Sequence, residues 1–159
     1  LEEDRPLGTA GALSLLPNMG ANGPLLIINS DLMTNLDYRW IIDFHNARGG
    51  GATVCTREYS FEIPYGVVEI EHQSVKGILE KPLQRYQVNA GIYVLDQEAI
   101  DIVSKEQMID MTDVLIQQIS ANRKLNAYPI HEDWTDIGRH SDYRRAIDSI
   151  NTSKNLPGE

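Results

Sequence analysis

Hydrophobic positions in the chain follow two patterns, short aliphatic runs and segments with an apolar residue every three or four positions. The runs at residues 24–29, 52–58, 88–95, 124–130 and 134–137 predict strands, and residues 66–71 and 75–80 alternate as the two strands of a hairpin. The helical spacing predicts helices over residues 10–16, from Asn35 or Asp37 to Arg48, from Thr112 onward and from Ser141 onward. Such an alternation of helices and strands is typical of an α/β layered fold.

Residue types near the element ends refine this picture. Thr9 is expected to cap the first helix, which Pro17 would stop, and three glycines at residues 49–51 would end the second helix. The side chains expected to be buried are Tyr38, Ile41, Ile42 and His45, then Leu115, Ile116 and Ile119, then Tyr143, Ala146, Ile147 and Ile150. Gly91 lies inside a predicted strand, where it indicates either a bulge or a close approach of another group, and the pattern favours neither.

Length and composition limit the classes of protein. The 159 residues, 42% of them hydrophobic, suffice for one domain, predicted at residues 1–150 with a polar tail at 151–159. The net charge of −9 argues against binding to nucleic acid or to an anionic membrane surface. The chain has a single cysteine, no apolar run long enough to span a membrane and no visible leader. These features favour a cytoplasmic protein. The chain starts at Leu1 without a methionine, as a fragment would.

Two aspartates are candidates for holding a metal ion. Asp31 follows the most apolar predicted strand, and ligands in α/β sheets bind at the carboxyl ends of strands, although an aspartate there can equally cap a loop. Asp136 lies between Trp134 and Ile137, where a buried carboxylate would need a partner or a metal ion. If the two carboxylates converge, they offer the oxygen ligands that Mg²⁺ prefers.

Two further segments could contact anionic groups. Residues 7–13 form a turn of small residues that enters a helix, so free backbone N–H groups could face a ligand there, although an ordinary helix start has the same composition. Pro82 fixes the backbone directly after Lys81, which could meet a phosphate or remain an exposed partner of Glu80. The histidines lack the spacing of a zinc site, and Cys55 is expected to be an inert core residue.

Six short motifs occur in the order and spacing of one known family. They are LGTAGA at residues 7–12, NSD at 29–31, PYGVV at 64–68, EKP at 80–82, NAGIY at 89–93 and WTDIG at 134–138. From about Pro6 to Ala146, the chain resembles the sugar-phosphate nucleotidyltransferases. The first motif and YPIHEDW at residues 128–134 are most similar to mannose-1-phosphate guanylyltransferase-type enzymes, especially the bacterial branch that activates amino-sugar phosphates for cell-surface polysaccharides.

The resemblance implies a Rossmann-like, three-layer GT-A-type fold with a mixed, mostly parallel sheet. It also implies an Mg²⁺-dependent reaction in which a nucleoside triphosphate, expected to be GTP, and a sugar 1-phosphate give a nucleotide sugar and pyrophosphate. Asp31, Lys81 and Asp136 would be the catalytic residues, with the two aspartates on the metal ion and Lys81 on the sugar phosphate. The residues implied in substrate binding are Gly8, Thr9, Gly11, Tyr65, Gly66, Glu80, Asn89 and Gly91. A homo-oligomeric state is left open.

The chain departs from the family at its start. The family begins with a strand and a G-G-x-G-T-R-L loop that binds the triphosphate, and neither occurs in this sequence. The resemblance therefore implies that this stretch by itself is inactive or nearly so. Two other interpretations remain, a GT-A glycosyltransferase and a non-catalytic module that binds a nucleotide or a sugar phosphate. Asp31 is followed by Leu32 and Met33, not by the D-x-D pair expected of a glycosyltransferase.

Overall fold

The computed structural model describes residues 4–17, 23–105 and 107–138. The helices are α1 (Gly8–Gly11), α2 (Tyr38–Arg48), α3 (Gln97–Ile100) and α4 (Met111–Ser120), with a 3₁₀ helix at Ala12–Leu15. The strands are β1 (Leu25–Ile28), β2 (Leu32–Thr34), β3 (Ala52–Glu62), β4 (Val67–Glu71), β5 (Ser74–Leu79), β6 (Leu83–Leu95), β7 (Leu125–Pro129) and β8 (Trp134–Asp136). The helix expected from Ser141 and the expected tail lie outside the described residues.

In the part of the chain that the structure describes, the central sheet has four strands in the order β1-β6-β3-β7. Strands β1, β3 and β7 run in one direction, and β6 runs against them between β1 and β3. Within the described ranges, two of its three ladders are therefore antiparallel and one is parallel, which confirms a mixed sheet. The mostly parallel pairing that the resemblance implies is not found there, because β6 lies between β1 and β3. The carboxyl ends of β1 and β7 lie at the same edge of this sheet, the edge at which Asp31 follows β1.

Two apolar clusters cover opposite faces of the sheet, so the expected three layers are present. Consecutive residues of β6 alternate between them, with Tyr93 and Leu95 in one cluster and Ile92 and Val94 in the other. Helices α1, α3 and α4 contribute to the first cluster, and α2 contributes Ile41 to the second. In the described ranges, both faces of the sheet are thus covered, so a ligand could reach the sheet only at the ends of its strands.

Helix α2 was predicted correctly. Asp37, not Asn35, is its N-cap and accepts a hydrogen bond from the Arg39 N–H, and the chain leaves the helix at Gly49 with φ of +59°. His45 is buried, with Nδ1 2.8 Å from Thr53 Oγ1 and Nε2 3.2 Å from Asp96 Oδ1, so this helix is joined to strand β3 through polar atoms.

Helix α4 differs from its prediction in cap and in buried face. Its N-cap is Asp110, not Thr112, and Asp113 Oδ2 accepts from the Asp110 N–H. The buried positions 111, 114, 115 and 118 keep helical spacing, whereas Ile116 and Ile119 are more than half exposed. The expected stripe was therefore right only at Leu115, because the earlier start of the helix packs Met111 and Val114 into the core.

The first helix also differs from its prediction. It starts at Gly8, so Thr9 lies inside the helix and does not cap it, and after Gly11 the backbone tightens into the 3₁₀ turn that ends before Pro17. None of the helices in the described ranges has the length and apolar character needed to cross a bilayer.

Several strands are longer or more numerous than expected. Beyond the core, β3 and β6 continue as a paired arm from Arg57–Val88 to Glu62–Leu83, where both strands are largely exposed and lose the apolar pattern of buried strands. The hairpin of β4 and β5 was predicted correctly, and its turn has positive φ at His72 and Gln73. Strand β2 has three residues and helix α3 has four, so neither carries a periodic signal.

Candidate functional site

Asp31 and Asp136 converge because β2 and β8 pair. The antiparallel register sets Leu32 opposite Asp136, and the Ile137 N–H donates to the Asp31 carbonyl oxygen at 2.8 Å. A Cβ built on Gly138 would lie 2.9 Å from Asp31 Oδ2 and 3.0 Å from Asp136 Oδ1. Both carboxylate oxygens therefore lie within 3.0 Å of the same point beside Gly138. The structure thus brings together two carboxylates that are distant in the sequence.

This pair fits a magnesium ion that is shared with a substrate. Both aspartates are exposed, so Asp136 is not the buried carboxylate that its neighbours suggested. Within the described ranges, no group of three or more His, Cys, Asp or Glu side chains could hold a metal ion. Mg²⁺ commonly keeps several waters and binds through one or two carboxylates plus substrate phosphates. Two accessible carboxylates therefore match that coordination.

Gly91 forms a bulge beside this pair and also allows a close approach. The β3–β6 register shifts between Val54 and Thr56, and Gly91 has φ of +72°. Its carbonyl accepts from the Asn29 N–H at 2.9 Å, and a Cβ on Gly91 would lie 2.7 Å from Asn29 Nδ2. Both predictions for Gly91 are therefore confirmed: it forms a bulge, and the group that approaches it closely is the side chain of Asn29.

Asn89 is already engaged in shaping the same bulge. Its Oδ1 accepts from the Gly91 N–H at 3.0 Å, and its Nδ2 donates to Tyr93 Oη at 2.9 Å. Burial raises the pKa of the Tyr93 phenol, while the amide donor from Asn89 opposes that rise. Asn89 therefore holds the backbone at Gly91 in place, and its expected contact with a sugar hydroxyl stays a prediction.

Three residues that the sequence analysis did not assign to the site hold the segment that leads to Asp136. The Trp134 indole N–H donates to the Ala90 carbonyl at 2.9 Å and joins β8 to the bulge. The Arg57 guanidinium donates from Nη1 to the carbonyls of Ile130 and Glu132, at 3.1 and 2.8 Å. Asn35 Oδ1 accepts from the Asp133 N–H at 3.1 Å.

Arg57 also lines a cleft of about 340 Å³, together with Glu58, Gln87, Pro129, Ile130 and His131. No local sequence signal identifies these supporting contacts, because each joins elements that are far apart in the chain.

A second group of predicted residues lies at the base of the β4–β5 hairpin. Tyr65, Glu80 and Lys81 are exposed, and a Cβ on Gly66 would lie 3.2 Å from Glu80 Oε2. Lys81 has φ of +45°, which lies in the left-handed region. This conformation is energetically unfavourable for every residue that has a Cβ. Pro82 follows, and its carbonyl accepts from the Ile63 N–H. Lys81 is thus presented from a fixed, strained backbone.

The third group, Gly8, Thr9 and Gly11, packs against the segment that leads into α4. The Thr9 N–H donates to Asp110 Oδ1 at 3.0 Å, and Thr9 Oγ1 accepts from the Met111 N–H at 2.8 Å. A Cβ on Gly8 would lie 2.6 Å from the Ile109 carbonyl oxygen. The N–H of Thr9 at this helix start is therefore occupied by the chain itself, and contact with a nucleotide base stays a prediction.

Cys55 is the inert core residue that the sequence indicated. It is fully buried, and burial raises the pKa of its thiol to about 12. Only a trace of the reactive thiolate is present at neutral pH, and the side chain packs in the apolar cluster under α2.

Residues 1–153 match the sequence model of the family described as "Nucleotidyl transferase". The chain is 33% identical to "Probable mannose-1-phosphate guanylyltransferase 3" of Oryza sativa subsp. japonica, over 94% of this chain and 44% of that protein. It is 30% identical to "Mannose-1-phosphate guanyltransferase" of Pichia angusta, over 89% of this chain and 40% of that protein. The chain thus spans less than half the length of these relatives.

Solved structures share the fold. HddC from Yersinia pseudotuberculosis superimposes with a TM-score of 0.66 at 24% identity, over 93% of this chain and 64% of that chain. A putative glucose-1-phosphate thymidylyltransferase from Bacillus anthracis gives a TM-score of 0.67 at 22% identity, over 99% of this chain and 65% of that chain.

Proposed function

Since the chain belongs to the nucleotidyl transferase family, we propose that its protein transfers a nucleotidyl group to a sugar 1-phosphate and releases pyrophosphate. The observation that carries the proposal is the convergence of Asp31 and Asp136 at the sheet edge where β1 ends. Two accessible carboxylates next to a backbone bulge suit a reaction that needs a cation between phosphate groups and no protein nucleophile.

We assign each candidate residue to a different part of the substrates according to its position. Asp31 and Asp136 would hold Mg²⁺, which when bound neutralises the charge of the triphosphate. Lys81 would bind the phosphate of the sugar 1-phosphate, whose oxygen attacks the α-phosphorus opposite the departing pyrophosphate. Gly66, Glu80, Asn89 and Gly91, with Tyr65 beside them, would line the sugar position, and Gly8, Thr9 and Gly11 the base.

The relatives suggest which substrates to test first. The plant and yeast proteins are named for mannose 1-phosphate and a guanylyl group, and one solved form of HddC carries GMP-PN. We accordingly propose GTP as the nucleotide, and a hexose or amino-sugar 1-phosphate as the acceptor, in a cytoplasmic enzyme that supplies nucleotide sugars for cell-surface polysaccharides.

The test is a pyrophosphate-release assay on the product of the complete reading frame that contains this chain, with five nucleoside triphosphates and a panel of sugar 1-phosphates. We expect Asp31→Ala and Asp136→Ala each to abolish Mg²⁺-dependent release, because each removes one of the two carboxylates that would hold the cation in position. Asp133→Ala, which removes an exposed carboxylate close to Asp136 in the sequence, is the matched control and should retain turnover. Near-normal turnover in either site variant would refute the metal assignment.

A further inference from the structure

Gly138 has no side chain at the point where the two aspartates meet. Among the described residues other than its chain neighbours, the three heavy atoms nearest to a Cβ built on it all belong to their carboxylates: Asp31 Oδ2 at 2.9 Å, Asp136 Oδ1 at 3.0 Å and Asp31 Cγ at 3.8 Å. A methyl group so close to two oxygens would force at least one carboxylate to shift. Apart from its chain neighbours, the described atoms nearest to this position thus belong to the candidate site.

The φ angle of Gly138 gives no reason for glycine at this position. Gly8 and Gly91 have positive φ and approach Ile109 and Asn29, so conformation and packing explain them. Gly138 is not among the positive-φ residues, so an alanine could adopt its conformation. What an alanine would disturb is the arrangement of the two carboxylates.

We propose that Gly138 is a positioning residue for the divalent cation, an inference that rests on the proposed function. Its missing side chain leaves the facing sides of both carboxylates open, and its N–H donates to Asp136 Oδ1 at 2.8 Å and so fixes that carboxylate. Mg²⁺ requires near-octahedral geometry with oxygens at about 2.0–2.1 Å, so displacing a ligand by a few tenths of an ångström weakens binding. Gly138 therefore acts through Asp31 and Asp136 and not on the substrate.

The experiment measures cation binding without turnover. Mn²⁺ alone is titrated into the ¹⁵N-labelled product of the complete reading frame that contains this chain, and paramagnetic broadening of the backbone amide signals of Leu32 and Ile137 reports binding beside the aspartates. We expect Gly138→Ala to need about tenfold more Mn²⁺, or more, for the same broadening, the usual effect of disturbing a group that orients metal ligands. Gly51→Ala is the matched control, because its added Cβ makes only ordinary contacts, 3.6 Å from Gln118 Oε1.

The possible outcomes separate a failure of the role of Gly138 from a failure of the proposed metal site. Equal Mn²⁺ requirements in wild type and Gly138→Ala, with binding lost in Asp31→Ala, would refute the role of Gly138 and leave the proposed function intact. Unchanged broadening in Asp31→Ala and Asp136→Ala, or none in wild type, would refute the metal assignment itself. Chemical shift changes throughout the Gly138→Ala spectrum would also overturn the inference, because the glycine would then serve the fold.

Discussion

At the scale of single residues, Lys81 combines backbone strain with exposure. Its φ of +45° is a conformation that glycine adopts without cost and lysine does not. Strain kept at an exposed, charged position is a reason to suspect a functional role, because folding alone would favour glycine there. The conformation is thus consistent with the phosphate-binding role proposed for Lys81.

Two substitutions at Lys81 separate charge from strain. Lys81→Gly should raise the free energy of unfolding by up to about 1 kcal/mol, because it releases the left-handed conformation, whereas Lys81→Ala should not. Both variants should weaken sugar-phosphate binding by about 1.5–3 kcal/mol, the range for a hydrogen bond to a charged group. Urea unfolding of the chain and the KM for the sugar phosphate in the complete enzyme measure the two effects. An unchanged KM in both variants would remove Lys81 from the site.

At the scale of elements, the Trp134 indole joins β8 to the bulge in β6. Ala90 is fully buried, and its carbonyl accepts from this indole N–H at 2.9 Å. Trp134→Phe keeps most of the apolar contact and removes the N–H, leaving a buried acceptor without that donor. We expect a loss of about 1–3 kcal/mol in the free energy of unfolding, measured with urea.

The chain supplies its own control for this substitution. Trp40, the other tryptophan, lies on α2 with 55% of its surface exposed. Trp40→Phe should change the free energy of unfolding by no more than about 0.5 kcal/mol, as exposed substitutions usually do. Equal effects of the two substitutions would show that the indole hydrogen bond does not stabilise the junction.

The elements also show which parts of the fold are visible in the sequence. Helix α2 was predicted from its own spacing and cap, because both signals are local. Strand β2 was missed, since Leu32–Thr34 are extended only through pairing with β8, about a hundred positions later. The same pairing brings Asp31 to Asp136. The sequence could therefore name both aspartates, while their convergence and the roles of Trp134, Arg57 and Gly138 required the structure.

At the scale of the whole molecule, the buried Cys55 thiol and Tyr93 phenol make the stability of the fold depend on pH in the alkaline range. Burial raises the pKa of Cys55 from its ordinary 9.0 to about 12, and it also raises the pKa of the Tyr93 phenol. Above pH 9 the unfolded chain releases the thiol proton while the folded chain keeps it. The unfolded state then binds fewer protons, so stability must fall as pH rises, and the contribution of Cys55 is fully present only below pH 9.

This linkage predicts how Cys55→Ala changes the pH dependence. Each variant is unfolded with urea at pH 7.5, 9 and 10.5. Wild type should lose stability with a slope from Cys55 that approaches about 1.4 kcal/mol per pH unit between pH 9 and 12, and the variant should lack that part. Cys55→Ala also leaves a small cavity that lowers its stability at every pH, so the slopes are compared and not the absolute values. Parallel slopes above pH 9 would mean that the native fold opens enough around β3 to let the thiol ionise.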